Sequence, residues 1–311
     1  VRPFTPHDDG GDLVETALLM QGMLAVRRYF AAADPIEDEI RRRITAMWRE
    51  VEWDWYLKQD GGKRLSWHWS PHYGWEMGLP ITGYNEAMIA YLLAMASPTH
   101  PIPAACYREG WAIGQGYDGA ARPEGDRWIG PPGGGALFMT QYSFVAFDPR
   151  GKRDAFCDYA ENSRAISLMQ RDYSVRNPHG HAGYSALLWG LTASTGPDGY
   201  HVGAIGNDDG TIAPTACLSA MPFTPRESLA ALKHLYHVYG KDIWGDLGFR
   251  DAFNLTRGWY APGYLAIDQG PIVPMIENQR SGLCWRIFMS NPEIAPMLAA
   301  SGWQTGSVSA P

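Results

Sequence analysis

The chain has 311 residues, a net charge of −7, and 45% hydrophobic residues. A chain of this length can bury a large core without disulfides or metals, and an acidic chain is a poor partner for nucleic acid. Its 35 Gly and 23 Pro are many for a globular protein but too few for a disordered one, so the composition indicates a compact domain with long loops.

Helical patterns dominate the chain. The first predicted helix runs from Asp12 to Ala33, after the turn residues 8–11, and Asp34-Pro35 ends it. Further helices are predicted over residues 36–57, 85–96, 104–113, 138–147, 155–175, 185–191, 226–239, 273–290 and 293–300, and short strands over 65–69, 200–205 and 264–267. The alternation of helix and loop predicts an all-α fold of stacked hairpins, as in an α/α toroid.

The first acidic motif reads Asp8-Asp9-Gly10-Gly11-Asp12-Leu13-Val14-Glu15. Asp12 and Glu15 are three residues apart and share one face of the predicted helix. Acidic residues also stabilise a helix N-terminus as caps and by complementing its dipole. The motif is therefore open to two interpretations, a structural helix start or a pair of catalytic carboxyls.

A second acidic motif, Thr82-Gly83-Tyr84-Asn85-Glu86, opens another predicted helix. We expect Asn85 to cap this helix and Glu86 to lie in its first turn. Glu86 is then either a surface acid stabilised by the helix dipole, or a general acid whose pKa is raised by aromatic neighbours.

Aromatic residues are concentrated in the loop before Glu86. They are Trp67, Trp69, Tyr73, Trp75 and Tyr84. Their flat apolar faces suit sugar rings, and the same residues can also form a cluster that packs a long loop. Both interpretations can hold at once.

Several other site classes lack their sequence signals. The four cysteines are far apart and form no zinc motif, and His179 and His181 have no evident third metal ligand. The apolar stretches are shorter than the ~20 residues of a membrane span. We therefore predict no metal, no organic cofactor and no membrane span.

Taken together, the motifs resemble the glycoamylase-like family of bacterial proteins, which includes endo-β-1,2-glucanases and a domain of cyclic β-1,2-glucan synthases. The matching segments are Phe4–Thr16, Gly83–Glu86, Trp189–Ser194, Asp209–Pro214, Ile267–Pro271 and Met275–Asn278. The resemblance implies an (α/α)6 barrel over residues 1–303 that lacks its first N-terminal hairpins, followed by a disordered tail over 304–311.

The resemblance also implies a function. It implies a monomeric glycosidase that cleaves β-glucan, favouring β-1,2 linkages, in the periplasm or outside the cell. Glu86 would be the proton donor, and Asp8, Asp12 and Glu15 the opposing acidic group. Asp268 and Glu277 would line the cleft. The alternatives are a transglycosylase of the same family, a lyase or epimerase on the same toroid, and a non-catalytic glycan-binding homologue.

Overall fold

The computed structural model describes residues 9–59, 61–114, 116–117 and 128–306, and these residues are mostly helical. The α-helices in the described ranges are α1 Leu13–Tyr29, α2 Pro35–Glu50, α3 Met88–Ala96, α4 Tyr159–Arg176, α5 Pro214–Leu218, α6 Pro225–Ile243, α7 Ala266–Gln269, α8 Ile272–Ser281, α9 Leu283–Met289 and α10 Ile294–Ala300. Short 3₁₀ or π turns cover Trp53–Tyr56, Tyr107–Trp111, Pro132–Gly134, Leu137–Thr140 and Tyr142–Phe144. The helical fold class predicted from the sequence is confirmed.

The strands are short and form small, separate antiparallel sheets. They are β1 Gly11–Asp12, β2 Leu57–Gln59, β3 Arg64–Leu65, β4 His68–Trp69, β5 Lys152–Arg153, β6 Ala193–Gly196, β7 Gly199–Val202, β8 Thr211–Ile212, β9 Trp244–Gly245, β10 Gly248–Phe249, β11 Phe253–Asn254, β12 Trp259–Tyr260 and β13 Gln304–Thr305. The pairs are β1 with β4, β2 with β3, β5 with β13, β6 with β7 and β9 with β10, and β11 lies between β8 and β12. Each ribbon joins two or three short segments of the loops by backbone hydrogen bonds.

Side-chain caps set several helix starts. The Asp34 carboxylate accepts hydrogen bonds from the backbone N–H groups of Ile36 and Glu37 at the start of α2. Pro35 follows in the first turn, where its missing N–H costs nothing. Asp12 caps α1 in the same way. Because caps are local chemistry, these starts agree with the sequence to within a few residues.

Helix α1 is central to the packing, since it contacts α2, α3 and α9. Its buried Arg27 donates hydrogen bonds to Asn291 and forms a 2.7 Å ion pair with Glu293. These contacts fix the C-terminal end of α1 against the segment between α9 and α10. The core around these helices includes the fully buried Trp48, Trp53, Trp111, Trp189 and Trp285.

The chain over residues 142–146, which we call the central segment, is largely buried and begins with the 3₁₀ turn Tyr142–Phe144. Its backbone groups bond to side chains from three helices. Gln21 of α1 bonds at both ends of the segment, Asn278 of α8 donates to Val145, and the Trp285 indole of α9 donates to Phe144. Buried backbone groups need such partners, so these side chains hold the segment in place.

Some predicted elements are wrong. Residues 185–191 form turns and extended chain, since Gly183 and Gly190 have φ of +88° and +96°. Residues 264–267 lead into α7 rather than forming a strand, and 138–147 breaks into 3₁₀ turns. The expected tail boundary is also too early, because Gln304–Thr305 pairs with Lys152–Arg153; residues 307–311 lie outside the described ranges.

Candidate active site

Asp12 is held rigidly at the start of α1. One oxygen of its carboxylate accepts a hydrogen bond from the backbone N–H of Glu15 at 2.9 Å, which is the expected N-cap. The other oxygen lies 2.9 Å from Nε2 of His68 and accepts a hydrogen bond from the Trp67 indole at 3.2 Å. These three partners, from α1 and from the chain at β4, orient the carboxylate.

Glu15 lies one turn into α1, beside Asp12. Burial raises the pKa of the Glu15 carboxyl, the negative charge of Asp12 raises it further, and His68 opposes the shift. A carboxylate with a raised pKa is a stronger base than an ordinary one. Asp12 is therefore fixed by hydrogen bonds, whereas Glu15 is more basic than an ordinary carboxylate.

Glu86 lies in the turn that precedes α3, and not in the first turn of the helix as the sequence suggested, because α3 begins only at Met88. The side chain of Asn85 accepts a hydrogen bond from the Ala87 N–H, and the hydroxyl of Ser143 donates to the Glu86 carbonyl. The central segment and the turn thus fix the backbone that carries this carboxyl.

The pKa of Glu86 is raised to about 7, and burial is the main cause. The negative charges of Glu15 and Asp12 raise the pKa further, whereas a backbone hydrogen bond lowers it. The electrostatic influence of Glu15 and Asp12 indicates that these two carboxyls lie near Glu86, and α1 packs against α3. At neutral pH about half of the Glu86 carboxyls therefore carry a proton, which an ordinary carboxyl would have lost.

Asp268 of α7 is a fourth, fully buried carboxyl. Its Oδ1 accepts hydrogen bonds from the hydroxyls of Tyr142 at 3.2 Å and Tyr200 at 3.4 Å. Its Oδ2 has no hydrogen-bond partner among the described residues. Burial, followed by the charge of Asp251, raises the pKa of Asp268 to about 7.

The two tyrosines connect Asp268 to the other carboxyls. Burial and then the charge of Asp268 raise the pKa of both hydroxyls. Glu86 adds to the shift at Tyr142, and Glu15 adds to it at Tyr200. Asp12, Glu15, Glu86 and Asp268 thus form one group, which we call the carboxyl cluster.

Two of the predicted acidic residues, Glu277 and Asp8, are not part of the carboxyl cluster. The Glu277 side chain bonds near its own helix end, to Arg280 at 2.7 Å and to the hydroxyl of Ser281. Among the described residues, no hydrogen bond or ion pair joins the Glu277 side chain to the carboxyl cluster. Asp8 lies outside the described ranges.

The predicted aromatic residues occupy different environments. Tyr84 is buried and stacks on Tyr159 with ring centroids 6.4 Å apart, so it packs the core and offers no free ring face. Trp67 bonds to Asp12 within the cluster. Trp75 packs against Trp55 at 5.9 Å, and Tyr73 is exposed on the loop.

Sequence reasoning missed His68, Tyr142 and Tyr200. His68 and Tyr200 lie in short strands, where alternation turns one side chain in two toward the cluster. That signal was available but weak. Tyr142 had no local signal, because its role depends on the central segment passing Asp268.

No metal ligand set is evident in the part of the chain that the structure describes, where no three His, Cys, Asp or Glu side chains are grouped to hold an ion. Instead, His181 contacts Asp208 at 3.2 Å. None of the described helices is long and apolar enough to cross a membrane.

Comparisons with known proteins identify relatives of this chain. The chain is 38% identical over 311 residues to the exo β-1,2-glucooligosaccharide sophorohydrolase (non-reducing end) of Parabacteroides distasonis; the match covers 94% of this chain and 43% of that protein. The chain thus spans less than half the length of that curated relative. It is 46% identical to the solved endo-β-1,2-glucanase of Chitinophaga pinensis in complex with sophorotriose and glucose, with a TM-score of 0.91, covering 98% of this chain and 74% of that one.

A further solved structure, the β-1,2-glucanase of Parabacteroides distasonis, is 36% identical with a TM-score of 0.92, covering 96% of this chain and 46% of that one. These likenesses agree with the arrangement of helical hairpins in an α/α toroid. Residues 78–292 match the Glycoamylase family, described as "Putative glucoamylase". That match spans more than half of the sequence, and the chain belongs to the glycoamylase family.

Proposed function

We propose that this chain hydrolyses a β-1,2-linked glucan by acid/base chemistry of two carboxyl groups. The observation that carries the proposal is Glu86, whose pKa of about 7 keeps a proton available at neutral pH beside two further acids. Glycosidases need one such acid and an opposing carboxylate. The relatives named as a sophorohydrolase and as β-1,2-glucanases support the choice of linkage.

In the proposed reaction, Glu86 donates its proton to the glycosidic oxygen as the bond to the leaving sugar breaks. The opposing group is Asp12 or Glu15, and the raised pKa of Glu15 favours it as the base that activates water or attacks the anomeric carbon. The hydrogen bonds to Asp12 suit a positioning role beside it. Asp268 is fully buried, so we assign it a positioning role through the hydroxyls of Tyr142 and Tyr200 and no direct contact with the sugar.

The test is Glu86→Gln, which keeps the shape of the side chain and removes the transferable proton. We expect glucan hydrolysis to fall by roughly 10²–10⁴-fold, the usual contribution of a general acid, with sugar binding largely kept. The matched control is Glu161→Gln, which changes an exposed acid in the first turn of α4. Parent-like hydrolysis by Glu86→Gln would show that another group supplies the proton.

Chromatography of the products separates the remaining alternatives. Hydrolysis releases new reducing ends, transglycosylation redistributes chain lengths without a matching rise in reducing ends, and a binding protein leaves the glucan intact. We expect a rise in reducing ends with β-1,2-glucan as the substrate.

A further inference from the structure

The ribbon of β1 and β4 separates the carboxyl cluster from a second surface. In this ribbon Asp12 pairs with His68, and Gly11 pairs with Trp69. Cross-strand partners point to the same side and successive residues to opposite sides. Asp12 and His68 contact each other in the cluster, so the Trp69 side chain points to the other side of the ribbon.

On that side lies a groove of about 500 Å³, which we call the outer groove. Trp55, Tyr56 and Trp69 supply rings to it, and Glu50 and Glu52 stand at the end of α2. The volume falls within the roughly 300–1,000 Å³ of small-molecule sites. The groove is therefore large enough for an organic ligand.

Glycine at position 11 gives the outer groove its shape. A Cβ atom there would lie 2.1 Å from the hydroxyl of Tyr56, so glycine leaves room for this phenol to pack against the ribbon. The Tyr56 hydroxyl consequently sits next to Asp12, whose charge, after burial, raises the pKa of Tyr56. The outer groove and the carboxyl cluster thus lie on opposite sides of the β1–β4 ribbon.

The chemistry of the outer groove suits a neutral sugar. Trp55 is 45% exposed, and a flat indole can lie against the C–H face of a sugar ring. The carboxylates of Glu50 and Glu52, which line the groove, can accept hydrogen bonds from sugar hydroxyl groups. The same carboxylates repel anions. The Lys58 amine lies over the Trp55 ring, 4.3 Å from its centroid.

We propose that the outer groove binds a stretch of the same β-glucan whose other part occupies the carboxyl cluster. This inference rests on the proposed function. A chain held at two adjoining points binds more tightly than at either alone, because the second contact is made at high effective concentration. The groove then favours long glucans over short ones, and Trp55 is a binding residue that takes no part in the chemistry.

The experiment uses isothermal titration with β-1,2-gluco-oligosaccharides of increasing length against Glu86→Gln protein, which binds without turnover. Adding Trp55→Ala should lower the affinity for the longest oligosaccharides by roughly tenfold, which is the upper range for one aromatic contact. The affinity for the disaccharide should stay unchanged. The matched control is Trp244→Ala, since Trp244 is 46% exposed on the separate β9–β10 hairpin. Glu52→Ala, at an exposed position, is the second variant and should act in the same direction as Trp55→Ala.

The outcomes separate this inference from the proposed function. Equal affinity of long oligosaccharides for Trp55→Ala, Glu52→Ala and their parent, with glucan hydrolysis by the wild type intact, overturns the outer groove alone. An equal loss of affinity in Trp244→Ala overturns it too. Absence of both hydrolysis and binding by the wild type overturns the proposed function, and the groove inference with it.

Discussion

Replacing Glu86 by Gln should stabilise the protein at alkaline pH while it lowers activity. The pKa of Glu86 rises from 4.5 to about 7 on folding, mainly through burial. Each pKa unit corresponds to about 1.4 kcal/mol, so the rise from 4.5 to about 7 is worth about 3 kcal/mol. Because the folded state binds this proton more tightly than the unfolded state, stability falls as pH rises from 4.5 through 7.

The glutamine variant lacks this proton and hence this dependence on pH. The free energy of unfolding of Glu86→Gln, relative to the parent, should therefore increase by about 2–3 kcal/mol between pH 5 and pH 8.5. Urea unfolding followed by tryptophan fluorescence at both pH values measures it. The raised pKa of Asp268 affects both proteins equally and cancels in the difference.

The control for this measurement is Glu161→Gln, which should shift the unfolding free energy by similar small amounts at both pH values because its side chain is exposed. A difference between Glu86→Gln and the parent that stays constant from pH 5 to pH 8.5 would refute the reasoning. It would mean that the Glu86 carboxyl is as well solvated in the folded protein as in the unfolded chain.

Two further substitutions test contacts around the site. Tyr142→Phe removes a hydrogen bond that favours the Asp268 carboxylate, so the pKa of Asp268 should rise further. Urea unfolding should show that the free energy of unfolding falls by about 1–3 kcal/mol at pH 8.5 and by less at pH 5. A loss of equal size at both pH values would contradict this. Gly11→Ala should destabilise by about 1–3 kcal/mol by thermal unfolding, since its Cβ would meet the Tyr56 hydroxyl at 2.1 Å, whereas the ring carbon is 3.5 Å away. Adding Tyr56→Phe should restore part of the loss, and no recovery would exclude this clash as the cause.

Local chemistry explains what could be predicted correctly. Asp12 at a helix start, with Glu15 three residues on, is a cap followed by a first-turn acid, and both properties depend only on neighbouring residues. The predominance of helix follows from apolar periodicity in the same way. Where the pattern favoured a helix over 185–191, the chain forms bends and extended backbone. Within it Gly190 has a φ of +96° and packs so closely that a Cβ would lie 2.9 Å from that of Ala216, a contact that the local pattern does not contain.

The sequence by itself therefore determined which acidic residues are present and how they are spaced. It also carried the family resemblance from which Glu86 was selected. The tertiary structure decided their environments. It buried Tyr84, turned Trp69 away from Asp12, and brought Tyr142 and Tyr200, which are 126 and 68 residues away in the chain, onto Asp268. The pKa values of Glu86 and Asp268 depend on burial and on charges from distant segments, because desolvation acts through whatever packs around a group and not through its neighbours along the chain.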